Sequence, residues 1–294
     1  MIKYIAPTLT ALHSADEIDI ESCLKLYDYL IANNIDGIAV FGTSGEFPHI
    51  PLTEKKKLIK AASTQITSGT EYVVGTGTMN ANETIALSDF AFENGADAVI
   101  VVSPYYYGMS DDSIFTYYSK VASEVKGNIY LYNFPDRTSY SIKPHTVLAL
   151  AREHGNIIGI KDTIPDMGHT VDIIKAVKPE FPDFAVFSAY DNNFVYNILS
   201  GGNGCVAILA NIAPKLFSNW VKAAKEKDFD TLADIQKKVD RLMDILWIYS
   251  PFLSTTKAIL VDKGIFAKDQ MTFPYLPFPE AKKQELRDFM KDFE

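Results

Sequence analysis

The sequence has few of the features that mark secreted, metal-binding or nucleic-acid-binding proteins. It contains two cysteines, Cys23 and Cys205, which are too few for a disulfide framework and lie in apolar segments. Its five histidines are not spaced as metal ligands, so we expect surface or capping roles for them and no metal site. The formal net charge is −9, which argues against nucleic-acid binding because that binding depends on neutralising phosphates.

Long apolar runs are also absent from the sequence. No stretch approaches the roughly 18 apolar residues that a membrane span needs, and Met1–Pro7 lacks the apolar core of a signal peptide. We therefore expect a cytoplasmic protein without a membrane partner. What is present is ordinary for a globular protein with one large core, since 47% of the 294 residues are hydrophobic and 22% are charged.

Short apolar runs alternate with stretches of helical periodicity eight times along the chain. This order, without a long linker, predicts an α/β fold: a closed (β/α)8 TIM barrel over residues 1–227. An open doubly wound sheet would show about half as many strands in two groups. Residues 228–294 are helical only and predict a C-terminal helical extension, an appendage of the same domain.

The predicted bounds are as follows. The predicted strands are Tyr4–Leu12, Gly37–Phe41, Tyr72–Gly75, Ala98–Val102, Asn128–Tyr132, Asn156–Lys161, Phe184–Ser188 and Gly204–Leu209. The predicted helices of the barrel run from Ile20 to about Asn33, from a cap at Thr53 to about Thr67, and over Asn80–Asn94, Asp111–Val125, Pro144–His154, Met167–Val177, Asn192–Leu199 and Pro214–Lys227. Those of the extension are Leu232–Tyr249, Pro251–Gly264 and Glu280–Phe289.

The predicted strand Asn156–Lys161 is the most informative stretch. Its three isoleucines are β-branched and do not alternate with polar residues, which suits a strand covered on both faces. Lys161 therefore emerges beside apolar surface. Three interpretations are open. The aliphatic stem packs on apolar surface while the amine reaches solvent, or the amine pairs with an acid such as Asp162. Alternatively, Lys161 is a desolvated amine that forms a Schiff base with a carbonyl substrate.

Polar side chains follow several of the predicted strands. In a (β/α)8 barrel the active site lies at the carboxyl ends of the strands. Each such side chain alone fits a structural role, because Thr-Ser-Gly is common in turns and buried tyrosines usually hydrogen bond. Their common location at the carboxyl ends of the strands is what favours an active site. They are Thr43 and Ser44 after the second strand, Tyr105, Tyr106 and Tyr107 after the fourth, Tyr132 and Arg137 with the fifth, Lys161, and Tyr190 and Asp191 after the seventh.

This set of groups suits carbonyl chemistry by a lysine. A Schiff base needs an unprotonated amine, and burial disfavours an ammonium ion. Protons must also move to and from the substrate oxygen, and Tyr132 at the neighbouring strand end is placed to relay them. Hydroxyls and exposed backbone amides at Thr43 and Ser44 suit a substrate carboxylate.

Three motifs, Gly42–Glu46 (GTSGE), Tyr132–Pro135 (YNFP) and Gly159–Thr163 (GIKDT), resemble the signatures of the pyruvate-dependent class I aldolase superfamily. The superfamily includes dihydrodipicolinate synthase, N-acetylneuraminate lyase and the 2-keto-3-deoxy sugar-acid aldolases, and the resemblance covers essentially the whole chain. It implies a homotetramer that needs no cofactor, because pyruvate itself is held covalently. The implied catalytic residues are Lys161 as the Schiff base, Tyr132 as the proton relay, Thr43, and Tyr106 reaching a neighbouring subunit; Thr43 and Ser44 bind the pyruvate carboxylate with backbone near Val206.

The acceptor end of the site is less uniform. Segments around Tyr132, Lys161 and Tyr190 resemble the 2-keto-3-deoxy-gluconate or -pentonate aldolase branch. That implies reversible cleavage of a sugar acid to pyruvate and an aldehyde. Arg137, however, stands where dihydrodipicolinate synthases bind the carboxylate of aspartate semialdehyde. Thr163, Tyr190 and Asp191 would face the substrate hydroxyls, and Ala189 stands where the pattern usually has glycine.

Three alternatives therefore stay open beside the sugar-acid aldolase. These alternatives are a 4-hydroxy-tetrahydrodipicolinate synthase, an N-acetylneuraminate lyase, and a catalytically silent binding or regulatory homologue. The intact Lys161 and Tyr132 disfavour the last of these.

Overall fold

The computed structural model describes residues 1–66 and 69–293. The predicted helix end at about Thr67 and the last residue of the predicted extension, Glu294, lie outside the described residues. The strands are β1 (Lys3–Pro7), β2 (Leu12–Ser14), β3 (Glu17–Ile18), β4 (Gly37–Val40), β5 (Glu71–Gly75), β6 (Ala98–Val102), β7 (Asn128–Asn133), β8 (Ile157–Asp162), β9 (Ala185–Ser188) and β10 (Gly204–Val206).

The predicted (β/α)8 barrel is confirmed. Eight parallel strands close in the order β1-β10-β9-β8-β7-β6-β5-β4, and β2 and β3 form a separate antiparallel pair. The barrel strands are nearly all buried along their length, which explains their continuous apolar runs. Helices follow the strands in the predicted alternation.

The helices within the described residues end with a helical extension, as predicted. They are α1 (Ile20–Ala32), α2 (Leu52–Gln65), α3 (Ala81–Glu93), α4 (Asp111–Glu124), α5 (Pro135–Thr138), α6 (Pro144–Glu153), α7 (Met167–Val177), α8 (Phe194–Leu199), α9 (Pro214–Glu226), α10 (Phe229–Leu242), α11 (Phe252–Asp262) and α12 (Lys283–Met290). The division into a barrel over 1–227 and an appendage over 228–294 stays a prediction.

Several predicted bounds were wrong. The first predicted strand, Tyr4–Leu12, leaves the barrel after Pro7, and Leu12 begins the β2–β3 pair instead. The eighth ends at Val206 because the chain turns into a short 3-10 helix from Ile208. The cap of α2 is Pro51 rather than Thr53, which lies in the first turn. The sequence pattern also missed α5, a single turn that carries Arg137.

The described residues group into two compact units. The first comprises Met1–Lys3 and Tyr72–Ala207, and the second the described residues of Tyr4–Glu71 and Ile208–Glu294. The first contains strands β6 to β10, which pair in parallel in sequence order. Because parallel strands point the same way, their carboxyl ends lie along one edge of this sheet.

Candidate active site

Lys161 lies in β8, near its carboxyl end, and its side chain is almost wholly buried. It is opposite Tyr132 of β7 and Phe187 of β9 in the parallel register, and it is 5% exposed. Its Nζ lies 4.3 Å from the centroid of the Tyr132 ring. The predicted neighbours Lys161 and Tyr132 are therefore in contact, and the amine is held against an aromatic face in a dry environment.

One layer of side chains below Lys161 contains the Tyr130 ring, which has space only because the opposite position is a glycine. Tyr130 is in register with Gly159, and its ring packs edge-on against Phe187 at a centroid distance of 5.8 Å. A Cβ on Gly159 would come within 2.5 Å of the Ala185 carbonyl oxygen and 2.9 Å of the Tyr130 ring. The glycine of the GIKDT motif thus permits the close approach of three strands beneath the lysine.

The ion pair between Lys161 and Asp162 that the sequence left open is not found among the described residues. Asp162 is fully buried, and its carboxylate accepts hydrogen bonds from Asn133 at 2.7 Å, Thr170 at 2.7 Å and His169 at 2.9 Å. Because successive residues of a strand face opposite sides, Asp162 points away from the Lys161 amine.

Tyr132 begins an aromatic stack that leads to Arg137. The rings of Tyr132 and Phe134 are stacked at 6.0 Å, and the Arg137 guanidinium lies 5.5 Å from the centroid of the Phe134 ring. Arg137 is exposed, because α5 turns the chain outward directly after β7. The contact with Phe134 holds a positive charge near the tyrosine without burying it.

Tyr190 follows β9 and is within electrostatic range of Asp136 and Arg137. Burial raises the pKa of its phenol, the charge of Asp136 raises that pKa further, and the charge of Arg137 lowers it. The net direction is upward, so the phenol keeps its proton at neutral pH. Tyr190 is therefore a hydroxyl donor within electrostatic range of Arg137.

Asp191 and Lys161 are linked through the environment of Cys205. Burial raises the pKa of the Cys205 thiol, the charge of Asp191 raises it further, and the charge of Lys161 opposes the rise. Asp191 itself is 1% exposed. The buried Cys205 thiol therefore stays protonated, within electrostatic range of both Asp191 and Lys161.

The remaining predicted residues of this unit have varied surroundings. Thr163 is buried, its backbone N–H donates to the Asn133 carbonyl at 2.9 Å, and its Oγ1 has no hydrogen-bond partner among the described residues. Ala189 is partly exposed directly after β9, and Val206 is buried at the end of β10. Tyr106 is 76% exposed and packs edge-on against Tyr107 at 4.9 Å.

Thr43 and Ser44 belong to the second unit, where they form a 3-10 turn, Thr43–Gly45, after β4. Non-glycine residues with left-handed backbone conformations flank this turn, Phe41 with φ 57° and Glu46 with φ 55°. Such conformations are costly for a bulky residue such as Phe41 and concentrate at functional sites.

The turn is anchored by Glu46, whose role the sequence did not reveal. Its carboxylate forms an ion pair with Lys257 and accepts two hydrogen bonds from Thr272, at 2.9 Å from N and 2.8 Å from Oγ1. Both charged side chains are shielded from solvent. Burial lowers the pKa of Lys257, while the charge of Glu46 opposes that change. A lysine inside the apolar stretch of α11 was the available signal.

His169 was also assigned too simply from the sequence. It lies partly buried in the first turn of α7, with Nδ1 against Asp162 and Nε2 3.1 Å from the Ser141 hydroxyl. No group of histidine, cysteine and acidic side chains that would hold a metal ion occurs within residues 1–66 and 69–293.

The fold and this arrangement define a (β/α)8-barrel protein with a buried lysine near the carboxyl end of a strand, in contact with a tyrosine. A family model described as the dihydrodipicolinate synthetase family matches residues 1–293. This chain belongs to the dihydrodipicolinate synthetase family.

Similar proteins carry two kinds of name. The chain is 32% identical to the probable 2-dehydro-3-deoxy-D-pentonate aldolase YjhH of Escherichia coli K12, over 96% of this chain and 94% of that protein. It is 30% identical to the 4-hydroxy-tetrahydrodipicolinate synthase of Methanocaldococcus jannaschii, over 99% of each chain.

A similar solved structure is that of YagE from Escherichia coli K12, a prophage protein of the dihydrodipicolinic acid synthase family crystallised with pyruvate. The TM-score is 0.95 at 31% identity, covering 100% of this chain and 98% of that one. In the part of this chain that the structure describes, none of the helices combines the length and hydropathy needed to cross a membrane.

Proposed function

We propose that this protein is a class I, Schiff-base-forming lyase that reversibly cleaves a 2-keto-3-deoxy sugar acid to pyruvate and an aldehyde. The observation that carries the proposal is the buried Lys161 amine against the Tyr132 ring at 4.3 Å. Similarity to a protein named as a probable pentonate aldolase and to a structure solved with pyruvate supports the substrate class. Comparison of activity on gluconate-type and pentonate-type substrates distinguishes the sugar-acid length.

The proposed chemistry begins when the neutral Lys161 amine attacks the C2 carbonyl of the substrate. Loss of water gives an imine, whose positive nitrogen accepts the electron pair of the C3–C4 bond as that bond breaks. Tyr132 supplies the proton that leaves with that water, and the resulting phenolate then accepts the C4 hydroxyl proton as the aldehyde is released. Protonation at C3 and addition of water then free pyruvate and the amine. The reaction needs no cofactor, because the lysine supplies the electron sink.

The remaining residues have proposed roles in binding. Thr43 and Ser44 are proposed, from the sequence resemblance, to bind the pyruvate carboxylate. At the other end, the substrate hydroxyls meet Thr163, Ala189, Tyr190 and Asp191. The unpartnered buried Oγ1 of Thr163 and the protonated phenol of Tyr190 support this placement. The exposed Tyr106 is consistent with a contact to another subunit, and homotetrameric assembly and a cytoplasmic location stay predictions.

Borohydride reduction with pyruvate tests the proposal. Reduction should fix a pyruvate adduct on Lys161, identified in a peptide digest by mass spectrometry. Activity should then be compared on 2-keto-3-deoxygluconate, 2-keto-3-deoxypentonates, N-acetylneuraminate, and pyruvate with aspartate semialdehyde. Without an adduct the lyase proposal fails, and the chain is a binding or regulatory homologue.

Tyr132→Phe should lower kcat for sugar-acid cleavage by about 10²- to 10⁴-fold, the usual worth of a general acid–base group. The ring remains, so its contact with Lys161 and the KM for the sugar acid should change little. Steady-state kinetics on the cleavage reaction measure both values. Tyr130→Phe removes a hydroxyl from the same strand one layer below and serves as the matched control. Equal losses in the two variants would contradict a proton-relay role.

A synthase is the second candidate, and the location of Arg137 against the Phe134 ring, within electrostatic range of Tyr190, favours it. If the acceptor is aspartate semialdehyde, Arg137→Leu should lower its kcat/KM by about 10- to 100-fold, the worth of a hydrogen bond to a charged group. If the acceptor end takes sugar hydroxyls, cleavage of 2-keto-3-deoxygluconate should persist in this variant. Arg152→Leu, which removes an exposed arginine of α6, is the control. Turnover of the sugar acid without any turnover of aspartate semialdehyde would exclude the synthase.

A further inference from the structure

The strands that carry Tyr132 and Lys161 are joined by a second pair one residue further on. Asn133 is opposite Asp162 in the register of β7 and β8, and Asn133 Nδ2 donates to Asp162 Oδ1 at 2.7 Å. Both side chains are buried, at 1% and 0% exposure. Since successive side chains alternate between faces, this bond lies on the opposite side of the sheet from the lysine amine.

The register at this point needs a local determinant. The pairing of β7 with β8 shifts between Ile129 and Tyr130, so the residues that follow are offset from those before. The register of a strand pair is set by side-chain packing and by turns. After a shift, the pairing before it no longer determines which residues are opposite each other. Only a few pairs separate the shift from the end of β7 at Asn133.

The Asn133 amide is held in one orientation. Its Oδ1 accepts from the backbone N–H of Ile142 at 2.9 Å, and its Nδ2 also donates to the Ser141 hydroxyl at 3.1 Å. A flip of the amide would place its NH2 group against the Ile142 N–H and lose the bond to Asp162. The loop after α5 therefore fixes which atom of Asn133 faces β8.

The orientation of the Asp162 carboxylate is also fixed by hydrogen bonds. Its Oδ2 accepts from Thr170 Oγ1 and from His169 Nδ1, while Oδ1 takes the bond from Asn133. Burial alone would lower the pKa of His169, but the hydrogen bond and charge of Asp162 outweigh it and the pKa is raised. A carboxylate with three donors makes charge-assisted bonds, which are stronger than neutral ones.

We propose that Asn133 and Asp162 are positioning residues, whose bond holds β7 and β8 in the register that places the Tyr132 ring over the Lys161 amine. The inference rests on the proposed function, which gives Tyr132 and Lys161 their roles. Misplacement of a reacting group by about 1 Å can cost about 100-fold in rate, so a lock directly beside the pair has a large kinetic effect.

An exchange of the two side chains tests the proposal. Asn133→Asp sets two carboxylates against each other, and Asp162→Asn sets two amide groups against each other if the new oxygen faces Thr170 and His169. The double variant restores one acid facing one amide. Each single variant should slow borohydride trapping of pyruvate by about 10- to 100-fold, and the double variant should recover most of the rate.

Thr170→Val is the matched control. It removes a 2.7 Å hydrogen bond from the same carboxylate, but that bond joins β8 to α7 and not to β7. It should lower thermal stability and leave the trapping rate near that of the wild type. All rates are measured well below the unfolding midpoint of each variant, so lost stability alone does not change them.

Amide hydrogen exchange without substrate provides a second readout that is independent of the chemistry. Relative to the other barrel strands, exchange at the carboxyl ends of β7 and β8 should quicken in each single variant, return in the double variant, and keep its wild-type ratio in Thr170→Val. Unchanged exchange in the single variants, no recovery in the double variant, or equal slowing by Thr170→Val would each overturn the proposal. Absence of any adduct in the wild type would instead contradict the proposed function, while the exchange data still decide the role of Asn133 and Asp162.

Discussion

Lys161→Arg should abolish the pyruvate adduct and lower sugar-acid cleavage by about 10⁴-fold or more, as expected when a covalent nucleophile is lost. Arginine places a side chain of similar length over the Tyr132 ring, so the packing is largely preserved. Its guanidinium stays protonated and forms no imine with a ketone under these conditions. The loss would therefore report the chemistry of the amine and not the collapse of the site.

The measurement is borohydride trapping followed by peptide mapping, together with kcat for cleavage. Lys175→Arg changes an exposed lysine of α7 and should keep both the adduct and the activity. The chain has another buried lysine, Lys257, but its amine pairs with Glu46 and donates to the Gln270 carbonyl at 2.7 Å. The labelled peptide should contain Lys161. An adduct that persists in Lys161→Arg would exclude the proposed nucleophile.

The architecture was predictable because each strand of the barrel is buried and followed by an amphipathic helix. Apolar runs such as Ala98–Val102 gave bounds identical to those of β6. Predicted strand bounds failed where hydrogen-bonded pairing, rather than the hydrophobic pattern, determines where a strand ends. The run from Tyr4 to Leu12 is mostly apolar, yet it divides between β1 and a hairpin whose pairing no local pattern specifies.

The contact between Lys161 and Tyr132 was predictable because both stand at carboxyl ends of neighbouring parallel strands. The residues that hold them were not, since their partners follow from the tertiary structure. Asp162 looked like a partner for Lys161 in the sequence, but strand alternation turns it toward His169 and Thr170. Glu46 meets Thr272, a residue 226 positions away. The proposed binding roles of the remaining site residues are still predictions.

The buried ion pair behind the Thr43–Gly45 turn should be one of the most costly to break. Lys257→Met should lower the free energy of unfolding by about 3–5 kcal/mol, because removing one partner leaves a buried charge without compensation. Glu46 would keep the two hydrogen bonds from Thr272 but lose its counter-charge. The Gln270 carbonyl would also lose its donor.

Urea denaturation measures the change in unfolding free energy. Lys237→Met is the control, because Lys237 and its partner Asp234 are both exposed and such pairs contribute about 0–1 kcal/mol. Glu46 ends the turn in a left-handed conformation, so loss of its anchor should also loosen Thr43 and Ser44. If those residues bind the pyruvate carboxylate, the pyruvate KM should rise in Lys257→Met.

The double variant Lys257→Met, Glu46→Gln separates the two causes of the loss. The neutral amide can still accept the hydrogen bonds of Thr272, but it carries no charge that requires a partner. If the uncompensated carboxylate causes the destabilisation, the double variant should be more stable than Lys257→Met alone, with a coupling of about 0.5–3 kcal/mol. If the packing of the lysine stem is what matters, the costs will simply add. Additive costs would therefore refute the electrostatic account of the pair that supports the turn.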